Sequence, residues 1–203
     1  MIAIIDYGMG NLGSVQKGFE KAGLDARVVT AAKDVRDASG VVLPGVGAFA
    51  AAMENLEKNN LTGVILDQIA AGKPFLGICL GLQMLFEYSE EFKRVPGLGL
   101  YKGKVVRFTG DMKVPHMGWN QLEFKKRPPV SEDIPDGSFF YFVHSFYVAP
   151  DDDSLALTVT NYDGFEFVSS ISKDNVTAVQ FHPEKSQRMG LRLLQNFGRS
   201  AEK

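Results

Sequence analysis

The sequence predicts an α/β protein: a mostly parallel central sheet flanked by helices, with an antiparallel extension in the second half. Three observations predict it. Short apolar strand candidates alternate with helical periodicity up to residue 86. From Gly97 onward the signals become short β runs separated by turn residues. Hydrophobic residues make up 45% of the 203-residue chain, enough to cover both faces of a sheet.

Ile2–Ile5 is an apolar run that ends in Asp6-Tyr7-Gly8. Residues 11–22 read as a helix, with Leu12, Val15 and Phe19 at helical spacing and Gly23 as its stop. Ala26–Val29 is a second strand candidate, and residues 41–43 a third, halted by Pro44-Gly45-Val46-Gly47. Helices are expected over 49–57, 61–70 and 80–86, with a fourth strand over 74–78. In the second half, strands are expected over 105–108, 121–124, 139–148, 155–160, 165–170 and 178–181. Asn161-Tyr162-Asp163-Gly164 is a hairpin turn signal, and residues 127–136 hold three prolines and read as a loop. A helix over 189–197 closes the fold. No linker or internal repeat interrupts this order, so a single domain over 1–203 is expected.

Composition narrows the function classes. Surface scaling for a chain of this size gives roughly 9,400 Å² folded against roughly 32,000 Å² unfolded. A core of that extent needs no covalent staple. One cysteine excludes an internal disulfide, and with only three histidines no metal site is expected. Basic and acidic residues number 22 and 24, a net charge of −2 that argues against nucleic acid as a partner. The N-terminus lacks the basic start of a secretory signal, and no apolar run approaches the roughly 20 residues of a membrane span. With the lone thiol, these features predict a cytoplasmic protein without a membrane partner.

Gly77-Ile78-Cys79-Leu80-Gly81 places the only cysteine where a strand candidate runs into a helix candidate. Flanking glycines leave space for a sharp turn, the arrangement of a nucleophile elbow. Helix amides near the sulfur would favour a thiolate. The pattern is short, and a buried structural cysteine fits it equally. His182-Pro183-Glu184 ends the run of residues 176–181. In an extended segment residues i and i+2 share a side, so Glu184 can orient His182. Taken alone, a solvated surface turn explains the same residues. A thiol, an imidazole and a carboxylate at strand ends are the parts of a catalytic triad. Gly45 and Gly47 around Val46 let backbone face a ligand. The amides of Leu80 and Val46 are the candidate oxyanion donors, although an ordinary strand-to-helix turn also accounts for the glycines. A rival signal, Gly8-Met9-Gly10-Asn11-Leu12-Gly13, fits a dinucleotide fingerprint. The acid expected about 20 residues later is missing; the nearest is Asp34, in what reads as a loop.

The three strand-end motifs, extended to Leu82-Gln83 and back to Phe181, occur in the order and rough spacing of class I glutamine amidotransferases, which the chain resembles. Narrower blocks are similar to the glutaminase subunits that serve imidazole glycerol phosphate formation in histidine biosynthesis. These are residues 5–12, Pro115-His116-Met117-Gly118-Trp119-Asn120, Tyr141-Phe142-Val143-His144-Ser145 and Glu184-Lys185-Ser186. The resemblance implies hydrolysis of glutamine through a thioester on Cys79, with His182 as acid and base and Glu184 as its orienter. No cofactor is implied. Gln83 would help bind glutamine. Ammonia would pass to a (β/α)₈-barrel cyclase subunit in a heterodimer, with Asn11, Trp119, Asn120 and Lys185 facing that partner. Tyr141 and His144, three apart in one strand, should face opposite ways; His116 is equally a core, capping or functional residue. The competing readings are an amidotransferase for another acceptor, an interaction protein with a vestigial triad, and a cysteine peptidase.

Overall fold

The computed structural model describes residues 1–202. Its first half follows the expected alternation: β1 (Ile2–Ile5), α1 (Leu12–Lys21), β2 (Ala26–Val29), α2 (Ala32–Asp37), β3 (Gly40–Gly45), α3 (Phe49–Lys58), α4 (Thr62–Ala70), β4 (Phe75–Cys79) and α5 (Leu80–Gln83). The second half carries β5 (Phe86–Ser89), β6 (Val95–Pro96), β7 (Tyr101–Arg107), β8 (His116–Gln121), β9 (Glu123–Phe124), β10 (Phe139–His144), β11 (Phe146–Pro150), β12 (Ala156–Tyr162), β13 (Phe165–Lys173), β14 (Val176–Val179) and α6 (Gln187–Ala201). The main sheet runs β2-β1-β3-β4-β14-β13-β11-β7-β5-β6, with β12 beside β13 and β9 beside β12. Its first five strands are parallel. The strand that completes this parallel part, β14, comes from the end of the chain. Beyond it β13, β11 and β7 pair antiparallel.

Strand alternation divides the core between the two faces of the sheet. Ala3 and Ile5 of β1 pack with Val35, Phe49, Leu56 and Ile65 of α2, α3 and α4. Ile2 and Ile4 face the other way, onto Val15 and Phe19 of α1 and Leu194 and Phe197 of α6. The Phe19 and Phe197 rings meet edge to face at 6.2 Å. The whole molecule exposes 9225 Å², close to the scaling for its length.

Several expected boundaries move, each for a local reason. The helix expected over 80–86 stops at Gln83. The carbonyls of Met84, Leu85 and Phe86 are taken by the amides of Leu98, Leu100 and Gly99 of the returning loop, which draws the chain into β5. Asp34 lies in the first turn of α2 and not in a loop; this helix buries only Val35, too little periodicity to detect. The run 139–148 is two strands, because the chain changes sheets at Ser145. The run 121–124 divides at Leu122 into the ends of β8 and β9. The hairpin is as read: Tyr162 pairs with Phe165 around a two-residue loop, with φ of 54° at Asp163 and 85° at Gly164.

A separate two-stranded sheet pairs β8 with β10 and sets His116 opposite His144. Tyr141 and His144 do face opposite ways, the first half-exposed and the second buried. His144 Nδ1 lies 2.8 Å from the Phe146 carbonyl, which can only accept, so Nδ1 carries the proton. His144 Nε2 therefore accepts from His116 Nδ1 at 3.0 Å, and His116 Nε2 accepts from the Asn120 amide at 3.3 Å. Both rings are neutral in this chain. Burial holds His116 down to about 4. Burial, against the pull of the Phe146 carbonyl, holds His144 down to about 3.

Replacing Phe197 by Ala should cost about 3–5 kcal/mol, read as a lower urea midpoint; a loss below about 1 kcal/mol would place the ring outside the core shared by α1 and α6. The two depressed histidines carry a pH signature. Above the unfolded value of about 6.5 they are neutral in both states, and as pH falls toward 4 the unfolded chain binds protons that the native pair refuses. Stability should therefore decline across that window, and a His116→Gln/His144→Gln variant should show a shallower decline in urea titrations at pH 7, 6, 5 and 4. Parallel slopes would refute neutral burial of the pair.

Candidate active site

Three adjacent parallel strands deliver the chemistry at their carboxyl ends, where ligands gather in such sheets. In the sheet register Gly45 lies opposite Cys79, and Val179, one strand further, lies opposite Ile78. Cys79 therefore sits between the loop after β3 and the segment after β14. Its own backbone has φ 55° and ψ −107°, the strained turn of a nucleophile elbow. Gly81 allows the turn, since a Cβ there would stand 1.9 Å from the Leu43 carbonyl oxygen. Gly45 is equally constrained: a Cβ would lie 2.5 Å from the Tyr7 hydroxyl. Tyr7 is buried and donates to the Pro44 carbonyl at 2.9 Å. Burial, then the nearby Cys79 charge, pushes its phenol well above the usual range, so it stays a neutral donor.

The segment after β14 carries His182, 2% exposed, with Nδ1 2.9 Å from Glu184 Oε1. The contact expected from an extended backbone is present, but a different backbone makes it. The chain turns through a short 3₁₀ segment, Pro183–Lys185, and the turn folds the carboxylate back under the ring. Gly18 of α1 makes room, since a Cβ there would approach the Glu184 Cβ to 3.0 Å. The His182 amide donates to the Tyr141 carbonyl at 2.9 Å, and the Ser186 hydroxyl joins the His182 carbonyl to the Tyr141 amide. Among the described residues His182 Nε2 has no aligned hydrogen-bond partner, although the Cys79 sulfur is close enough to act on it. Burial draws the imidazole down, but Cys79 and Glu184 outweigh it and push it up to about 9. The ring is set to hold a proton beside the Cys79 sulfur.

A pocket of about 360 Å³ opens onto this centre, lined by Val46, Gly47, Cys79, Leu80, Gln83, Glu91, Val143, His144, Ser145 and Phe146 among others. A larger concavity of about 740 Å³, over residues 127–135, shares none of these groups and is lined by no cysteine or histidine. Of the expected residues, Val46, Gly47, Cys79, Leu80 and Gln83 line this pocket, Gly45 lies opposite Cys79 in the sheet, and His182 with Glu184 adjoins the Cys79 sulfur. The rival glycine loop has a supporting place: Met9 packs where a Cβ on Gly47 would fall, 2.8 Å from its Cε. Two polar groups escape the sequence reading. Glu91, whose Oε2 accepts from the Phe49 amide at 2.6 Å, comes from a charged stretch with no pattern to mark it. Gln180 is fully buried, with Nε2 3.6 Å from the Cys79 sulfur; its place two residues before His182 is the only hint.

The residues assigned to a partner do not behave alike. Trp119 is 46% exposed and edge-on to Tyr141, and Lys185 Nζ stands 5.8 Å over the Tyr141 ring. Met117, on the same face of β8, is 63% exposed. Asn11 caps α1 at the surface. Asn120 points inward, its amide held by His116 and by the Asn161 carbonyl. Among the described residues no His, Cys, Asp and Glu cluster could hold a metal, and no helix is long and apolar enough to cross a membrane.

Comparison with known proteins accords with this geometry. The chain is 57% identical to imidazole glycerol phosphate synthase subunit HisH of Aquifex aeolicus, covering 98% of this chain and 97% of that one. It is 52% identical to the protein of the same name from Thermococcus kodakarensis, covering 98% and 100%. Among solved structures, a glutamine amidotransferase superposes with a TM-score of 0.78 over the full length of both chains at 15% identity. A chain of PurLQS from Thermotoga maritima superposes at 0.74, with 18% identity, over 97% of this chain and 96% of that one. At such identities these two speak for the fold alone. The family model for glutamine amidotransferase class-I matches residues 3–201, and the chain belongs to that family.

Proposed function

We propose that this chain is the glutaminase subunit of an imidazole glycerol phosphate synthase, working as a single amidotransferase domain in the cytoplasm. The observation that carries the reading is the meeting of Cys79, His182 and Glu184 beneath one pocket, in a chain that shares 57% of its residues with a protein of that name. Cys79, as thiolate, attacks the side-chain amide carbon of glutamine. The amides of Val46 and Leu80 receive the oxyanion. His182, as imidazolium steadied by Glu184, gives its proton to the departing nitrogen, and ammonia leaves. The neutral imidazole then takes a proton from water as the water attacks the thioester. Glutamate departs and the thiolate returns.

Gly45 and Gly47 let the loop of Val46 pack closely on Tyr7 and Met9 beside the pocket, and Gln83, on the pocket wall, contributes to binding glutamine. Glu91 adds a carboxylate to the pocket wall, suited to the α-ammonium group of the amino acid. Ammonia in neutral water is mostly protonated and no longer nucleophilic, so the reaction needs a sheltered acceptor. The exposed face formed by Met117, Trp119, Tyr141 and Lys185 suits docking of a (β/α)₈-barrel cyclase; Asn11, capping α1 at the surface, is assigned to the same partner by the family resemblance. Asn120 supports that face from behind, through His116.

Cys79→Ala should abolish glutamate release with the fold kept, measured by coupled assay of the chain mixed with a cyclase barrel and its nucleotide ligand. Release that persists in the variant would remove Cys79 from the reaction. Lys185→Ala should lower glutamine-dependent synthesis in the complex by about tenfold while leaving synthesis from added ammonia intact, the scale of one lost interfacial contact. An unchanged ratio of the two activities would take Lys185 out of the coupling.

A further inference from the structure

Gln180 is the buried polar group closest to the nucleophile that the mechanism above leaves unused. It is fully buried, and Gln83 beside it is 6% exposed. Their contacts form a chain with a defined polarity. Gln83 Nε2 lies 3.1 Å from the Phe146 carbonyl oxygen and 3.1 Å from Gln180 Oε1, while Gln180 Nε2 lies 3.6 Å from the Cys79 sulfur. A backbone carbonyl only accepts, so the end of Gln83 beside Phe146 is its NH₂. That NH₂ must meet an oxygen on Gln180, which leaves the Gln180 NH₂ facing sulfur. His144 Nδ1 donates to the same carbonyl at 2.8 Å and holds it in place. Reversing either amide would set two acceptors or two donors against each other at buried side chains, a costly arrangement.

We propose that Gln180 is a further catalytic residue, whose side-chain N–H holds the Cys79 sulfur as the attacking anion, with Gln83 and the Phe146 carbonyl fixing which end of Gln180 faces it. The inference rests on the glutaminase reading. The helix that follows Cys79 spans only four residues, Leu80–Gln83. Its few aligned peptides make a weak dipole, so the anion needs another donor. Ionisation moves the thiol proton to His182 Nε2; Gln180 transfers none. As the S–C bond forms, charge leaves sulfur for the amide oxygen and the Gln180 contact weakens. When water has attacked the thioester and the S–C bond breaks, charge returns to sulfur and the N–H eases its departure. The contact therefore acts on both covalent steps.

The test uses the full chain, in which Cys79 is the only thiol. Alkylation by iodoacetamide is followed against pH in the wild type, Gln180→Met and Gln180→Glu, with thermal unfolding as the folding check. The apolar side chain should raise the alkylation midpoint by about one pH unit, a tenfold loss of thiolate. The carboxylate accepts from Gln83 but offers sulfur no N–H, and should raise it further. In the complex with a cyclase barrel, kcat/KM for glutamine should fall about tenfold in Gln180→Met, in step with the thiolate. An unmoved midpoint in folded variants overturns the proposal. So does a moved midpoint with unchanged kcat/KM, and so does failure of both variants to fold, which would make Gln180 a structural residue. The midpoints need no turnover, so a wild type that alkylates as described but releases no glutamate would count against the glutaminase reading instead.

Discussion

A residue with a side chain resists the backbone found at Cys79, where φ is 55° and ψ −107°, at a cost of order 1–3 kcal/mol. The conformation persists because neither neighbour can relax. On one side β4 lies inside the parallel sheet, bonded to β3 and β14, so its end cannot drift. On the other, α5 begins at once and presses Gly81 against the Leu43 carbonyl. The strain is repaid in position: the sulfur leaves the sheet and enters a pocket whose other walls come from distant parts of the chain. Gly45, Tyr7 and Met9 then pack around the same turn and set the loop that carries Val46. Loosening the elbow would disturb Cys79 and the loop of Val46 together.

Burial acts alike on the three histidines, and their partners separate them. His116 and His144 face each other, an amide and a carbonyl; burial outweighs the carbonyl's pull, and both stay neutral. His182 faces Glu184 and the Cys79 sulfur, and it is driven the opposite way. The same loss of water that neutralises one pair strengthens the other, since charges interact more strongly where solvent is excluded. Linkage then sets two windows of opposite sign. The support His182 draws from its partners is full below the unfolded value near 6.5 and fades as pH rises through about 9, whereas the neutral pair fails as pH falls.

The parallel half of the fold is legible in the sequence because its strands are uniformly apolar and its helices amphipathic. The elbow and the histidine turn are legible because glycine and proline mark them. The long-range arrangement is not. Nothing in residues 176–179 says that they pair with β4 in the middle of the sheet, yet that pairing alone brings His182 to Cys79. The end of α5 is hidden because the amides that capture the carbonyls beyond it come from the loop after Gly97. The meeting of His182 and Glu184 follows from their spacing, but through a turn that the spacing does not reveal. Glu91 and Gln180 escape because a lone polar residue carries no periodicity, and burial is a property of the assembled fold.

One strand ties the exposed face of Trp119 and Lys185 to the site around Cys79. Outward from β10, Tyr141 meets Trp119 and Lys185. Inward, Phe140 and Phe142 pack on Phe181, immediately before His182. The backbone of Tyr141 holds His182 directly through its carbonyl and indirectly through Ser186, and the strand ends at His144 on the pocket wall. Close-packed interiors of this kind yield little and transmit strain. Pressure on the outer ring is therefore borne by the hydrogen bonds that position the imidazole, without any intervening flexible segment. Through one strand's backbone, β10 thus joins the exposed face of Trp119 and Lys185 to the turn that carries His182.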